Sequence, residues 1–189
     1  MWVLGISASP RRGGNSELLL DAALEGAAGA GARVEKLVPA ELDIRPCPNC
    51  DDCRETGVCT RHDDMDLVYP KLQEADRIIL ASPIFFLSLP ASAKVMIDRC
   101  QALWIAKYVL HRPPKVPNRK GMFISVCHRN HMSQFRPAIA VVRAWFATLD
   151  VYHSQSLLFG GIERKGEILA HPTALEEAYY AAADFVLEG

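Results

Sequence analysis

Five short apolar runs alternate along the chain with longer segments in which apolar residues recur at helical spacing. The runs occupy residues 2–7, 32–40, 76–83, 121–127 and 151–159. Such runs, bounded by turn residues, are typical of buried strands. Helices are predicted within 16–30, 66–75, 85–106, 134–149 and 173–189. This alternation predicts an α/β fold with a parallel sheet and helices on both faces.

The number of elements suits a doubly wound five-stranded sheet in the order 2-1-3-4-5, with a cysteine-rich loop after strand 2. The length of 189 residues suits a single domain spanning 1–189, and we place the cysteine loop at 45–65. The connector at 107–120 is basic and rich in proline. We interpret it as a solvated loop; docking of an acidic partner or closure over a ligand are the alternatives.

Charge and composition exclude several classes of partner. The chain carries 21 basic and 22 acidic residues, so no global field favours nucleic acid or an anionic membrane. The start MWVLGISASPRR lacks the pattern of a secretory signal, and no apolar stretch approaches the length of a membrane span. We therefore expect a cytoplasmic protein, in which clustered thiols indicate metal or redox chemistry.

The loop SASPRRGGNSE at 7–17 joins the first strand to a helix. Free N–H groups at a helix start attract anions, and hydroxyl and arginine side chains add donors. The loop is neither a Walker loop nor a G-x-G-x-x-G fingerprint. We predict a phosphate-binding loop, with Asn15 or Ser16 capping the helix; an ordinary capped turn is the alternative.

Two further loops end strands at the same edge of the predicted sheet. The segment after strand 3 offers backbone amides and flat apolar surface to a planar ring at Pro83, Ile84, Phe85 and Phe86. The alternative is that both Phe side chains fill the core. After strand 4, His128 is a candidate neighbour of such a ring. A metal site at Cys127, His128 and His131, or a plain loop histidine, remain alternatives.

Four cysteines occur in the spacing C-x2-C-x2-C-x5-C at Cys47, Cys50, Cys53 and Cys59. A structural zinc site uses two separated C-x2-C pairs, whereas here the first three cysteines overlap. A compact tripod with a more distant fourth thiolate suits a [4Fe–4S] cluster. We favour the cluster, and zinc or redox-active thiols remain open. Because the loop follows strand 2, we expect it at the carboxyl edge, beside the phosphate-binding loop.

Several segments together resemble the iron–sulfur flavoproteins, a branch of the NADPH-dependent FMN reductase-like proteins with a flavodoxin-like fold. These segments are GISASPRRGGNSELLL, CPNCDDC with GVC and DDM, EADRIILASPIFF, LPASAKVMIDR and the late turn GGIERKGEI. The compact four-cysteine motif is the most specific of them.

The resemblance implies two cofactors. FMN would place its phosphate on Ser7, Ser9, Arg11, Asn15 and Ser16 and its ring against Ser82 to Phe86. A [4Fe–4S] cluster would be held by the four cysteines. The resemblance also implies a homodimer or homotetramer, and it assigns structural roles to Asp63, Asp64, Lys94, Asp98 and Arg99.

The function that we predict is electron transfer from a ferredoxin-like donor to a small acceptor such as a quinone, dioxygen or peroxide, through a flavin-dependent oxidoreductase. One alternative is an NAD(P)H-dependent FMN or quinone reductase without a cluster. Another is a non-catalytic redox carrier or sensor. No catalytic side chain is singled out by the sequence.

Overall fold

The computed structural model describes residues 1–188 and contains a five-stranded parallel sheet. The strand order is β2-β1-β3-β4-β5. Strands span Trp2–Ser7 (β1), Arg33–Leu37 (β2), Arg77–Pro83 (β3), Arg119–Cys127 (β4) and Val151–Gly160 (β5). The predicted α/β architecture and the strand order 2-1-3-4-5 are confirmed. In this order β1 and β3 flank the point where the winding direction reverses, so their carboxyl ends diverge into a crevice.

Six α-helices cover the two faces of the sheet. They span Asn15–Gly29 (α1), Met65–Glu74 (α2), Ala91–Arg99 (α3), Gln101–Trp104 (α4), Arg136–Thr148 (α5) and Ala174–Leu187 (α6). One apolar cluster packs α2, α3 and α5 on one face, and a second packs α1 and α6 on the other. Gly189, the predicted last residue of the closing helix, lies outside the described residues. None of the described helices is long and apolar enough to cross a membrane.

Three predicted element boundaries are wrong. The second strand ends at Leu37, because Pro39 has no N–H for a sheet and opens a 3-10 turn instead. The long helix predicted within 85–106 begins only after Pro90 and is interrupted at Cys100. A π-helical turn at Ile105–Val109 follows α4, and β4 begins at Arg119, so the connector is shorter than predicted.

The segment after β3 forms a tight hairpin. Phe85 and Ser88 exchange two backbone hydrogen bonds of 2.9 Å, and the two residues between them have positive φ, +48° at Phe86 and +64° at Leu87. Bulky residues seldom adopt this conformation, which stores strain that surrounding structure must offset. The alternative that both Phe side chains fill the core is wrong, since Phe85 is 47% exposed and Phe86 is fully exposed.

Candidate functional site

A pocket of about 290 Å³ lies at the carboxyl ends of β1, β3 and β4, and we call it the carboxyl-edge pocket. The residues that line it come from four chain segments: Ser9–Arg11 with Gly14–Ser16, Pro83–Phe85, Val126–His128, and Ile162, Glu163 and Lys165. The structure therefore brings together the three loops that the sequence analysis had selected. The carboxyl-edge pocket lies where doubly wound sheets bind their ligands.

The loop after β1 is shaped by two glycines. Gly13 has φ +63°, and its N–H donates to the Glu17 carboxylate at 2.6 Å. A Cβ at Gly14 would lie 2.9 Å from the Arg11 carbonyl oxygen and 3.2 Å from Ser9 Oγ, so a side chain there would force the loop apart. Gly14 caps α1; the prediction that Asn15 or Ser16 caps it is wrong, because both lie inside its first turn.

The hydroxyl groups of this loop differ in what they contact. Ser7 is fully buried, and its hydroxyl has no hydrogen-bond partner within residues 1–188. Ser9 Oγ accepts from the Arg11 N–H at 3.1 Å, which holds the loop in a turn. Ser16 is 1% exposed in the first turn of α1, where backbone N–H groups have no intrahelical acceptor. The loop offers several hydrogen-bond donors, and one of them, the Ser7 hydroxyl, lacks an acceptor within residues 1–188, as an anion site requires.

Glu17 fixes the base of the loop and was not selected from the sequence. It is 2% exposed, and it contacts Lys36 and Arg12 in addition to Gly13. Burial alone would raise the pKa of Glu17, but Lys36, the Gly13 N–H and Arg12 together hold it below its usual range. The carboxylate is thus ionised and locked to the loop; we read its role as structural.

Asn15 and the turn after β5 form one unit. The Asn15 amide donates to the Arg164 carbonyl oxygen at 2.8 Å and its oxygen accepts from the Ile168 N–H at 3.3 Å. This clamp brings Lys165 into the wall of the carboxyl-edge pocket, close to Gly13. Sequence reasoning missed Lys165 because it lies about 150 residues from the first loop; the GGIERKGEI turn was the available signal.

The remaining predicted residues of this pocket occupy its other walls. Ser82 is fully buried behind the pocket, and its hydroxyl donates to the Pro83 carbonyl oxygen at 2.8 Å. Pro83, Ile84 and Phe85 line the pocket, whereas Phe86 projects from the hairpin tip outside it. His128 also lines the pocket, after the end of β4, and pairs with Glu163 at 3.2 Å on the surface.

The four predicted cysteine ligands line a second, separate cavity, which we call the cysteine pocket. Its volume is about 20 Å³, and its other lining residues are Pro48, Asn49, Asp51, Asp52 and Thr60 of the loop and Arg99, Gln101, Ala102 and Ile105 of the neighbouring helices. All six cysteines are free thiols. Burial raises the pKa of Cys53, and the nearby thiols of Cys59, Cys47 and Cys50 raise it further. Within residues 1–188 no three Cys, His, Asp or Glu side chains are arranged to hold a single metal ion.

Arg99 at the end of α3 anchors the cysteine loop. Its guanidinium donates to the carbonyl oxygens of Arg45 at 2.8 Å and Arg61 at 3.2 Å, to Cys59 Sγ at 3.6 Å, and to the Asp63 carboxylate. Burial alone would raise the pKa of Asp63, but Arg99 and the N–H groups of Arg45 and Met65 hold it below its usual range. One buried cation thus ties both ends of the loop to α3.

The cysteine loop packs along helix α3. It contacts the carboxyl end of α3 and α4, and the cysteine pocket and the carboxyl-edge pocket share no lining residue. Helix α3 follows the hairpin after β3 and is about 13 Å long at 1.5 Å per residue. The two candidate sites are therefore separate pockets, and their adjacency at one edge of the sheet stays a prediction.

A doubly wound five-stranded sheet in this order, with a polar loop at the reversal point, defines the flavodoxin-like class. Solved structures agree on this fold. An NAD(P)H:quinone oxidoreductase from Methanothermobacter marburgensis has a TM-score of 0.75 at 20% identity, with 98% of each chain covered. A flavone reductase has a TM-score of 0.73 at 20% identity, covering 99% of this chain and 62% of that one.

The family model for NADPH-dependent FMN reductase matches residues 1–156, and the chain belongs to this family of flavin-dependent oxidoreductases. Curated relatives are iron-sulfur flavoproteins, so the predicted resemblance is confirmed. One from Methanocaldococcus jannaschii is 42% identical over 105 residues, which are 56% of this chain and 54% of the relative. One from Methanosarcina thermophila is 36% identical over 126 residues, 67% of this chain and 63% of the relative. The chain thus spans about half to two thirds of the curated relatives it matches.

Proposed function

We propose that the protein is a two-cofactor flavoprotein that passes electrons from a ferredoxin-like donor to a small acceptor, such as a quinone, dioxygen or peroxide. The observation that carries this proposal is the gathering of four cysteines around one small pocket beside a buried arginine, in a chain of the FMN reductase family. When bound, an iron–sulfur cluster and a flavin together interconvert one-electron and two-electron chemistry.

The carboxyl-edge pocket fits FMN. The first turn of α1 and Lys165 line the pocket and suit a phosphate group. Ser7 is not a lining residue, but its buried hydroxyl has no partner within residues 1–188 and lies in the chain just before this loop. Gly14 allows the backbone to approach such a group closely, since any side chain would clash with the loop. We assign the phosphate to Ser7, Ser9, Arg11, Asn15 and Ser16.

The opposite walls of the same pocket suit a flat ring. Pro83, Ile84 and Phe85 present apolar surface and backbone amides, with Ser82 behind them, and the strained hairpin extends this wall to Phe86. His128 faces them from the end of β4. These residues would orient the ring and shield one side of it from water, which leaves the other side to the acceptor.

The cysteine pocket fits a [4Fe–4S] cluster by the chemistry of its donors. Four thiols without disulfides line it, and the Arg99 guanidinium donates a hydrogen bond to the sulfur of Cys59. Asn49 and Asp51 have φ of +56° and +62°, a conformation that Asn and Asp tolerate. Turns of this kind direct backbone N–H groups inward and are common around iron–sulfur sites.

We also propose that the chain forms a homodimer or homotetramer in the cytoplasm. The exposed Phe86 and Leu87 at the hairpin tip, and Trp104, Tyr108 and Val109 beyond α3, offer apolar surface to a second copy. An assembly of this kind would bring the cysteine pocket of one protomer to the carboxyl-edge pocket of another. Light scattering on the purified protein tests it, and a monomer would contradict it.

The test of the two-cofactor proposal is anaerobic purification with iron, sulfide and flavin quantified per chain. We expect about four iron and one FMN per chain, with Cys50→Ser losing the iron and keeping the flavin. Cys127→Ser, which changes a cysteine outside the cysteine pocket, should keep its iron. One zinc per chain, or flavin alone with steady NADPH oxidation, would favour instead an NAD(P)H-dependent reductase without a cluster, as the family name suggests.

A further inference from the structure

A third cavity, of about 380 Å³, lies beside the cysteine loop. Its lining residues come from 57–59 of the loop, from Tyr69 and Gln73 of α2, from 102–107 and 112–115, from Arg119 at the start of β4, and from 148–150 between α5 and β5. It shares Cys59 and Ala102 with the cysteine pocket and no residue with the carboxyl-edge pocket. Its size lies within the range of small-molecule sites.

The walls of this cavity are mainly apolar. Val58, Leu103 and Leu149 contribute aliphatic surface, and Pro113 and Pro114 stiffen the segment that closes one side. Its other wall includes Ala106 and Lys107 of the π-helical turn, a rare conformation that recurs at functional sites. Such a lining suits the apolar body of an organic molecule.

The charges around the cavity are mainly positive. Lys107 pairs with Asp150 at 2.7 Å, and Lys115 pairs with Glu74 at 3.0 Å. Arg119 is 3% exposed and donates to the backbone carbonyl oxygens of Ala75, Leu149 and Leu72, with no carboxylate among these partners. Its buried charge is therefore offset by backbone dipoles and, without direct contact, by the charges of Asp150 and Asp76.

Arg112 is the cation at the mouth of this cavity. It is exposed, and its guanidinium makes no hydrogen bond or ion pair within residues 1–188. Its backbone N–H donates to the Ala106 carbonyl oxygen at 2.9 Å, which fixes the start of the segment. The planar guanidinium matches the two oxygens of a carboxylate. Gln73, on the opposite wall, likewise has no side-chain partner among the described residues.

We propose that this cavity is a second ligand site, which binds a small aromatic carboxylate with its ring against Leu103 and Leu149 and its carboxylate on Arg112. A bound molecule would lie beside Cys59. The site is separate from the pocket that we assign to FMN, and binding there requires neither flavin nor iron, so this proposal and the two-cofactor proposal fail independently.

Calorimetric titration of the protein, purified without oxygen and loaded with FMN, tests the site with 2-naphthoate. We expect saturable binding of one molecule per chain. Arg112→Gln should weaken it about tenfold or more, the usual effect of losing a charge-assisted hydrogen bond. The uncharged analogue 2-naphthamide should bind the wild type and Arg112→Gln equally, because it has no carboxylate to contact residue 112 in either protein.

The matched control is Arg136→Gln, which removes an exposed arginine that does not line this cavity. It should leave 2-naphthoate affinity within about twofold of the wild type. Equal melting temperatures would show that both variants fold. The proposal is overturned if the wild type does not bind 2-naphthoate at millimolar concentration, if Arg112→Gln binds as tightly as the wild type, or if Arg136→Gln weakens binding equally.

Discussion

Replacement of Arg99 by glutamine should destabilise the protein far more than its position in a short helix would suggest. In the Arg99–Asp63 ion pair the two side chains are 0% and 2% exposed. The same guanidinium also holds the Arg45 and Arg61 carbonyl oxygens, so several buried groups lose a partner together. Removing one member of a buried ion pair typically costs about 3–5 kcal/mol, because the other charge stays buried and uncompensated.

The assay is urea unfolding followed by circular dichroism, with the free energy of unfolding extrapolated to water. Lys94→Gln is the matched control on the same helix. Lys94 pairs with Asp98, but the side chains are 43% and 48% exposed, so the loss should stay below about 1 kcal/mol. We also expect Arg99→Gln to lose its iron during purification. If Arg99→Gln and Lys94→Gln lowered the free energy of unfolding equally, the anchoring role of Arg99 would be refuted.

Three further outcomes are expected. Although burial opposes it, Arg99 holds the pKa of Asp63 below its usual range. Ionised Asp63 therefore stabilises the folded state at neutral pH. This contribution to the free energy of unfolding disappears as the pH falls below the usual aspartate pKa. Urea midpoints between about pH 5 and pH 2 should therefore change less for Asp63→Asn than for the wild type, and equal slopes would contradict this. Lys165→Gln should weaken the affinity for FMN about tenfold in fluorescence titrations, whereas riboflavin, which lacks the phosphate, should bind as before. An equal loss of affinity for both ligands would show that Lys165 does not contact the phosphate. Gly26→Ala would place a Cβ 2.0 Å from a backbone carbonyl oxygen of α6, so it should lower the stability measured by thermal unfolding by about 1–3 kcal/mol or more. The control Glu25→Ala, on the exposed side of α1, should change stability by under about 0.5 kcal/mol.

The sheet could be predicted from the sequence because its three central strands, β1, β3 and β4, are buried on both faces. Ile78–Ala81 is a continuous apolar run, and Met122–Val126 is interrupted only by Ser125; the burial of both requires helices on either side. The boundaries at Leu37 and Cys100 could not be predicted, since proline at 39 and the break before α4 act through local backbone geometry. Gly14 replaced the expected polar cap because the close contacts with Arg11 and Ser9 leave no room for a side chain.

The candidate sites were predictable only where their residues lie close together in sequence. The polar loop at 7–17 and the cysteine run are compact, and the structure gathers each around a pocket. Lys165 and Arg99 are distant in the chain from the loops that they contact, and the segments GGIERKGEI and LPASAKVMIDR that contain them do not indicate those contacts. Their roles depend on burial and on three-dimensional contact, which a single sequence does not reveal.

Helix α3 sets a fixed distance between the hairpin at the carboxyl-edge pocket and Arg99 at the cysteine pocket. It starts just after the hairpin at one pocket and ends with Arg99 at the other, and its rise per residue is constant. Inserting one turn would carry Arg99 about 5 Å further and pull the cysteine loop with it. We therefore expect natural relatives to tolerate insertions in 107–118 and to keep the number of residues between Pro83 and Arg99.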